Sequence, residues 1–143
     1  MSKGDTFEND LLKLIFNATA IANIADNATT SPLTNLYISL HTADPGEAGS
    51  QTTNETAYTG YARVAVGRSG SGFTVTASSV SPAADVDFGE CTALPGGAIT
   101  HFAIGTAASG TGKILYSGTM TPNITMAVGV IPRFKSTSTV TED

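Results

Sequence analysis

Two histidines are the first side chains in this sequence that invite a chemical interpretation. His41 and His101 both stand in segments with strand-like alternation, so their imidazoles could meet in space as a pair of metal ligands. No third ligand follows at the spacing that zinc sites show. We therefore expect sheet histidines that face solvent or a neighbouring strand, and no metal site.

Paired acidic residues are the second candidates. Asp44 and Glu47 flank a Pro-Gly turn, and Asp85 and Asp87 flank one valine. Neither pair shows the alternating oxygen ligands of a calcium loop. Asp44 is explained more simply as a turn residue whose carboxylate accepts hydrogen bonds from nearby backbone N–H groups. A carboxylate pair for glycoside cleavage stays open, but the sequence has no tryptophan to stack on a sugar.

Motifs of nucleophilic and nucleotide chemistry are absent from the sequence. There is no nucleophile elbow, no P-loop and no dinucleotide-binding fingerprint, and Gly70-Ser71-Gly72 has the composition of a turn. The single cysteine, Cys91, cannot form an intrachain disulfide and is interpreted as a small core or strand residue. The sequence thus predicts no catalytic residue, no cofactor and no enzymatic activity.

The composition excludes several classes of partner. The 143 residues fit one domain, and the 41% that are hydrophobic suffice for a core. Only 13% are charged, the net charge is −5, and no basic stripe is present. Direct contact with nucleic acid or with an anionic membrane therefore lacks an electrostatic driving force. No apolar run is long enough to cross a bilayer.

Residues 5–26 form the one helical pattern. Asp5 is the expected N-cap, and Glu8 completes a capping box. The residues spaced along one apolar face are Phe7, Leu11, Leu14, Ile15, Ala18, Ala22 and Ala25. Leu12, Phe16 and Ile21 widen that face. Either one sheet covers all of it, or Leu11 packs on the chain's own sheet while Leu12 and Phe16 contact a second partner.

After Pro32 the hydrophobic period changes to two, which predicts strands. The predicted strands are Leu36–His41, Tyr61–Val66, Phe73–Thr76, Val86–Phe88, Ile99–Ile104 and Lys113–Gly118, followed by an apolar stretch from Ile124 to Phe134. Seven or eight short strands separated by turn signals are typical of a sandwich or barrel. We predict a mainly β fold: a jelly-roll-like antiparallel β-sandwich with one N-terminal α-helix. The predicted organisation is a helix and linker over residues 1–31 and a β-sandwich body over residues 32–143, together forming a single domain.

A long loop, Thr42 to Gly60, separates the first two predicted strands. Its length exceeds that of ordinary connections, which favours a contact-making or otherwise functional segment. Arg63 follows on a strand that should alternate, and we expect it to bridge to a loop carboxylate such as Glu55. That interaction would anchor the loop.

Four segments and the opening of the helix near Phe7-Glu8-Asn9 resemble a family of small proteins from tailed bacteriophages. The segments are Leu36-Tyr37-Ile38-Ser39-Leu40-His41-Thr42-Ala43-Asp44-Pro45-Gly46-Glu47-Ala48-Gly49, Thr53-Asn54-Glu55-Thr56-Ala57-Tyr58-Thr59-Gly60-Tyr61-Ala62-Arg63-Val64, Ile99-Thr100-His101-Phe102-Ala103-Ile104-Gly105 and Gly112-Lys113-Ile114-Leu115-Tyr116-Ser117-Gly118. The similarity covers nearly the whole chain, and none of its motifs is catalytic.

The resemblance implies a structural virion protein made in the host bacterial cytoplasm. Size and β-content are similar to those of jelly-roll cement proteins, so the first expectation is a capsid decoration protein on the outer surface of the head. Its partners would be the major capsid protein and further copies of itself. A tail, baseplate or fibre-associated structural protein is the alternative. The residues expected at the interface are Phe7, Leu11, Leu12, Ile15, Phe16, Asp44, Glu47, Glu55 and Tyr58.

Overall fold

The computed structural model describes residues 5–21, 33–94 and 97–142, which form one helix and nine strands. In chain order these are α1 (Asp5–Asn17), β1 (Asn35–His41), β2 (Val64–Gly67), β3 (Phe73–Thr76), β4 (Ser79–Pro82), β5 (Val86–Asp87), β6 (Ile99–Gly105), β7 (Ile114–Ile124), β8 (Arg133–Phe134) and β9 (Val140–Thr141). The strand orders are β2-β1-β6-β7, β3-β4-β9 and β5-β8. The predicted mainly β fold with one N-terminal helix is confirmed and is consistent with a sandwich, whereas jelly-roll connectivity stays a prediction.

Two compact units divide the chain. The first contains Met1–Asn35, Val66–Val86 and Phe134–Asp143, and the second contains Leu36–Ala65 and Asp87–Arg133. Each unit is assembled from segments that are distant in sequence, so neither corresponds to a continuous stretch of chain. The predicted division into residues 1–31 and 32–143 stays a prediction.

Helix α1 packs on the β3–β4 hairpin of the first unit. Leu12 and Phe16 lie one turn apart on the helix and are both wholly buried. The Phe16 ring meets Phe73 edge to face, with 4.7 Å between ring centroids. Asn9 adds a hydrogen bond from its Nδ2 to the carbonyl of Ala77, 2.6 Å away. An apolar stripe on one side of the helix therefore fixes it to the sheet.

The helix ends earlier than the sequence predicts. Its last residue is Asn17 and Ala18 has a φ of +54°, so the predicted continuation is wrong over residues 18–21 and lies outside the described residues over 22–26. Arg68 completes the helix end: its guanidinium donates to the carbonyls of Leu14 and Ile15. These last-turn carbonyls have no partner within a helix, and a cation matches the negative end of the helix dipole.

The second unit is built around β1 and β6, whose antiparallel register pairs Tyr37 with Gly105 and His41 with His101. Ile38 and Leu40 face one side of the sheet and join an apolar core. The other buried apolar residues of this unit are Leu36, Tyr58, Phe88, Cys91, Ile99, Phe102, Ala103, Ile104 and Met126. Side chains alternate along a strand, so Ser39 and His41 face the opposite side, yet both are wholly buried.

Several strand predictions need correction. The predicted strand at Tyr61–Val66 begins instead at Val64, and the apolar stretch from Ile124 to Phe134 is mostly loop. Strands β4 and β9 were not predicted, because each carries a single valine among hydroxyl residues. β4 pairs with β3, and β9 pairs with β4. Backbone hydrogen bonds to these neighbours stabilise the two strands, and side-chain hydrophobicity does not reveal such pairing.

Candidate functional site

The long loop between β1 and β2 is anchored by a buried ion pair, as the sequence predicts. Arg63 donates from Nε to Glu55 Oε1 at 2.7 Å and from Nη2 to Glu55 Oε2 at 2.8 Å. The Arg63 side chain is 3% exposed and that of Glu55 is 15% exposed. This two-point geometry is the strongest form of arginine–carboxylate contact. The hydrogen bonds that Arg63 donates to Glu55 raise the pKa of the guanidinium, which stays charged.

Arg63 also binds a second loop. Nη1 donates to the carbonyl of Ala107 at 3.0 Å, and Nη2 donates to that of Gly110 at 2.8 Å. The turn between β6 and β7 is thereby tied to the β1–β2 loop through one guanidinium. A single side chain thus fixes the relative positions of two connections.

Tyr61 joins the same cluster to strand β1. Its hydroxyl donates to Glu55 Oε1 at 2.7 Å and accepts the N–H of Leu40 at 3.1 Å. Burial raises the pKa of this phenol. Its neighbour Tyr58 is 2% exposed and donates to the carbonyl of Gly89. Burial raises the pKa of Tyr58 to about 12, so both phenols stay neutral and act as hydrogen-bond donors.

Gln51 fills a notch between the sheet and the β6–β7 turn. The side chain is wholly buried, its Nε2 donates to the carbonyl of Tyr37, and its Oε1 accepts the N–H of Ala107. A Cβ at Gly105 would lie 2.2 Å from the Gln51 amide carbon, and one at Gly112 would lie 2.0 Å from its oxygen. Both positions therefore require glycine for the amide to fit.

His41 connects the polar face of the sheet to the loop. Nδ1 lies 2.8 Å from the carbonyl of Thr53, which can only accept, so Nδ1 carries the proton. In the neutral ring Nε2 then accepts from the hydroxyl of Ser39, 2.9 Å away. Burial lowers the pKa of His41 below its ordinary value. The loop residues Gln51 and Thr53 thus cover the polar side of β1.

The two histidines face each other across β1 and β6, as cross-strand neighbours. The Nδ1 of His101 lies 2.8 Å from the hydroxyl of Thr100, and no group of three His, Cys, Asp or Glu suited to a metal occurs in the described ranges. The sequence predicted that the histidines face solvent or a neighbouring strand, but the His41 ring is buried and bonds to Ser39 of its own strand and to Thr53 of the loop.

The loop tip is the exposed part of this site. Asp44 Oδ1 accepts the N–H of Gly46 at 2.8 Å, which is the predicted turn. Asn54, at a φ of +56°, donates from Nδ2 to the carbonyl of Asp44. Asp44 and Glu47 are both exposed. The anchored loop therefore presents its two carboxylates from a fixed backbone.

The residues predicted at an interface belong to both compact units, and several of them are buried. Leu12 and Phe16 belong to the core of the first unit, so the predicted assignment of helix arcs is reversed: these two pack on the sheet, whereas Leu11 and Ile15 are only half-buried. Glu55 and Tyr58 are internal anchors. The Phe7 side chain lies outside the described residues. Asp44 and Glu47 remain available for contact, and their role stays a prediction.

A family model described as podophage GP4 fiber I protein gp80 matches residues 2–142. The chain belongs to this family. It is therefore a structural virion protein of a podophage, and the predicted membership of a small tailed-phage virion family is confirmed. The family description agrees with the fibre alternative better than with capsid cement. A search of curated proteins gave no match. Among the described residues, no helix is long and apolar enough to cross a bilayer.

Proposed function

We propose that this protein is a non-catalytic structural subunit associated with the fibre of a podophage tail. The observation that carries the proposal is the match of residues 2–142 to a family whose description names a fibre protein. The internal architecture supports a mechanical role, because Arg63 and Gln51 use their hydrogen-bonding groups to fix loops. A subunit held this way can transmit load without rearranging.

The loop tip is the proposed contact with neighbouring virion proteins. Its backbone is fixed by Asn54, and its carboxylates at Asp44 and Glu47 are exposed. A pre-ordered loop loses little conformational entropy on binding, so a small contact area suffices. The proposed partners are adjacent tail subunits and further copies of this chain.

Fractionated particles test the location. Purified virions would be separated into heads and tails, and the protein would be quantified in each fraction relative to the major capsid protein. A fibre subunit is expected in the tail fraction, with a copy number per particle that is a small multiple of the order of the tail's rotational symmetry. Recovery in heads at a copy number near that of the major capsid protein would refute the fibre assignment.

Capsid cement is the competing proposal, with the major capsid protein as partner and the outer surface of the head as location. Cement proteins bind where several lattice subunits form a composite site, because individually weak contacts combine. That proposal requires strong binding to mature shells and little binding to isolated capsid subunits. Binding to neither would remove it.

The absence of catalysis is also part of the proposal. Asp44 and Glu47 are exposed, but the Asp44 carboxylate accepts the N–H of Gly46 and so serves the turn and not a reaction. Purified protein is expected to leave cell-wall and capsular glycans intact. Turnover that disappears in a Glu47→Gln variant would overturn this proposal.

A further inference from the structure

The edge strand β7 is the longest strand in the part of the chain that the structure describes. β7 is the last strand of the β2-β1-β6-β7 sheet, and no strand within the described residues pairs with its far side. Its ladder with β6 is regular from Tyr116 to Thr119, with a register shift on either side. Beyond Thr119 the chain runs through Pro122, which has no N–H to donate.

The two edges of this sheet differ in how they are guarded. Edge strands usually avoid pairing with other chains by being short or charged. β2 is only four residues long. β7 spans eleven residues, Ile114–Ile124, without a single charged side chain. By length, β7 is therefore less protected than β2 against pairing with a strand of another chain.

The side chains of β7 sort onto two faces that tolerate a copy of themselves. Tyr116 and Gly118 share one face, and the exposed hydroxyls of Ser117 and Thr119 share the other. Phe102 lies over Gly118, where a Cβ would come within 2.9 Å of its ring, so β7 is seated firmly on β6. Exposed hydroxyls can meet hydroxyls without desolvating a charge.

We propose that β7 pairs antiparallel with β7 of a second copy, about a two-fold axis at Ser117. This register keeps the closest pairs inside the regular ladder: Ser117 faces its own counterpart, and Tyr116 faces Gly118. The self-complementary patch is what a two-fold interface requires. The pairing extends each four-stranded sheet into a continuous sheet of two copies, and it does not depend on a fibre location.

Charge placed on the axis tests the pairing. In Ser117→Lys, and separately in Ser117→Asp, like charges would lie directly opposite each other and weaken the dimer by about fivefold or more. An equal mixture of the two variants would form a heterodimer, because the opposed charges then attract. Ser109→Lys, in an exposed turn of the same unit, is the matched control. Sedimentation equilibrium measures all four samples beside the parent.

Cross-linking provides a second readout. Directly opposed residues of an antiparallel pair lie about 4.5–5.5 Å apart at Cα, within the span of a disulfide. Ser117→Cys should oxidise to a covalent dimer, whereas Ser109→Cys should not; the native Cys91 is buried. A monomeric parent, or a dimer that withstands both charged variants and does not cross-link at Ser117, overturns the proposal.

Discussion

Arg63 shows how much one side chain can organise when it is buried among acceptors. Its guanidinium binds the Glu55 carboxylate and two carbonyls from a second loop, while Tyr61 holds the same carboxylate from the other side. The sequence allowed the Arg63–Glu55 pair to be predicted, because a charged residue at an alternating strand position needs an opposite charge within reach. The sequence did not indicate the contacts with the carbonyls of Ala107 and Gly110, because every residue type has a backbone carbonyl.

Removing Arg63 should therefore destabilise the fold strongly. We expect Arg63→Ala to lower the free energy of unfolding by about 3–5 kcal/mol, since it leaves a largely buried carboxylate without its cation. Arg133→Ala is the matched control: Arg133 pairs with Asp87, but both side chains are about half exposed. Its loss should cost no more than about 1 kcal/mol. Urea unfolding measures both, and equal losses would contradict the assigned role of burial.

His41 predicts a pH dependence of stability. Burial lowers its folded pKa below the unfolded value of 6.5, so the unfolded chain takes up a proton first as the pH falls. Stability is then full above pH 6.5 and declines below it, by up to about 1.4 kcal/mol per pH unit, until the folded pKa is reached. The neighbouring charges that modify this titration are Glu55, Arg63 and His101.

The variant His41→Gln isolates this contribution. It lacks the titrating ring, so its unfolding free energy should change less than the parent's between pH 7 and the folded pKa. Subtracting the two profiles removes the carboxylates common to both proteins. Parallel profiles would show that His41 does not titrate differently in the folded and unfolded states. An NMR titration of the imidazole would give the folded pKa directly.

At the scale of elements, the helix shows what periodicity can and cannot decide. The spacing of apolar residues identified a helix from Asp5, but the arc that packs on the sheet was chosen wrongly. By spacing alone, the alanines at 18, 22 and 25 belong to the apolar face that contains Leu11, but the helix ends at Asn17. Without those alanines, Leu12 and Phe16 become the stronger pair. The helix ends at the positive φ of Ala18 and is capped by the guanidinium of Arg68. Neither feature can be recognised from the hydrophobic pattern of the helix itself.

Substitutions on the two arcs should separate accordingly. Leu12→Ala removes a wholly buried side chain from the contact with the β3–β4 hairpin, so we expect a loss of about 2–5 kcal/mol. Leu11→Ala changes a half-buried position on the same helix turn and should cost distinctly less. Thermal melting of both variants measures the difference. If Leu11→Ala melts as low as Leu12→Ala, then both arcs are core.

The strands of the second unit were easier to anticipate than those of the first. β1 and β6 carry alternating apolar residues that must face a core, and β6 was predicted to within one residue at its end. β4 and β9 depend on backbone pairing, which sequence hydrophobicity does not encode. Likewise, Gln51 could not be recognised as an anchor, because the space it occupies is created by Gly105 and Gly112 from another part of the chain.

At the scale of the whole molecule, the low charge density means that few charged groups are available for contact with neighbouring subunits. Only 13% of residues are charged, so Asp44 and Glu47 are two of a small number of exposed charged side chains. The other exposed charged residues among those that the structure describes are Asp85, Asp87, Glu90, Lys113, Arg133 and Lys135. Orientation against a neighbouring subunit then depends on few charges, and rim charges act on association more than on folding. The same residues that matter least to stability are those expected to matter most to assembly.

The loop tip should accordingly be separable from the fold. Glu47→Lys reverses an exposed charge. Its free energy of unfolding should therefore differ from the parent's by no more than about 0.5 kcal/mol, as for ordinary surface substitutions. Incorporation into particles, measured by complementing a phage that lacks the gene, should fall. Glu90→Lys, a reversal of the same kind at another exposed position, controls for net charge. Incorporation equal to the parent would exclude Glu47 from the contact. A fall shared by both variants would attribute the effect to net charge, because only a loss confined to Glu47→Lys requires the rigid loop tip to meet a neighbour.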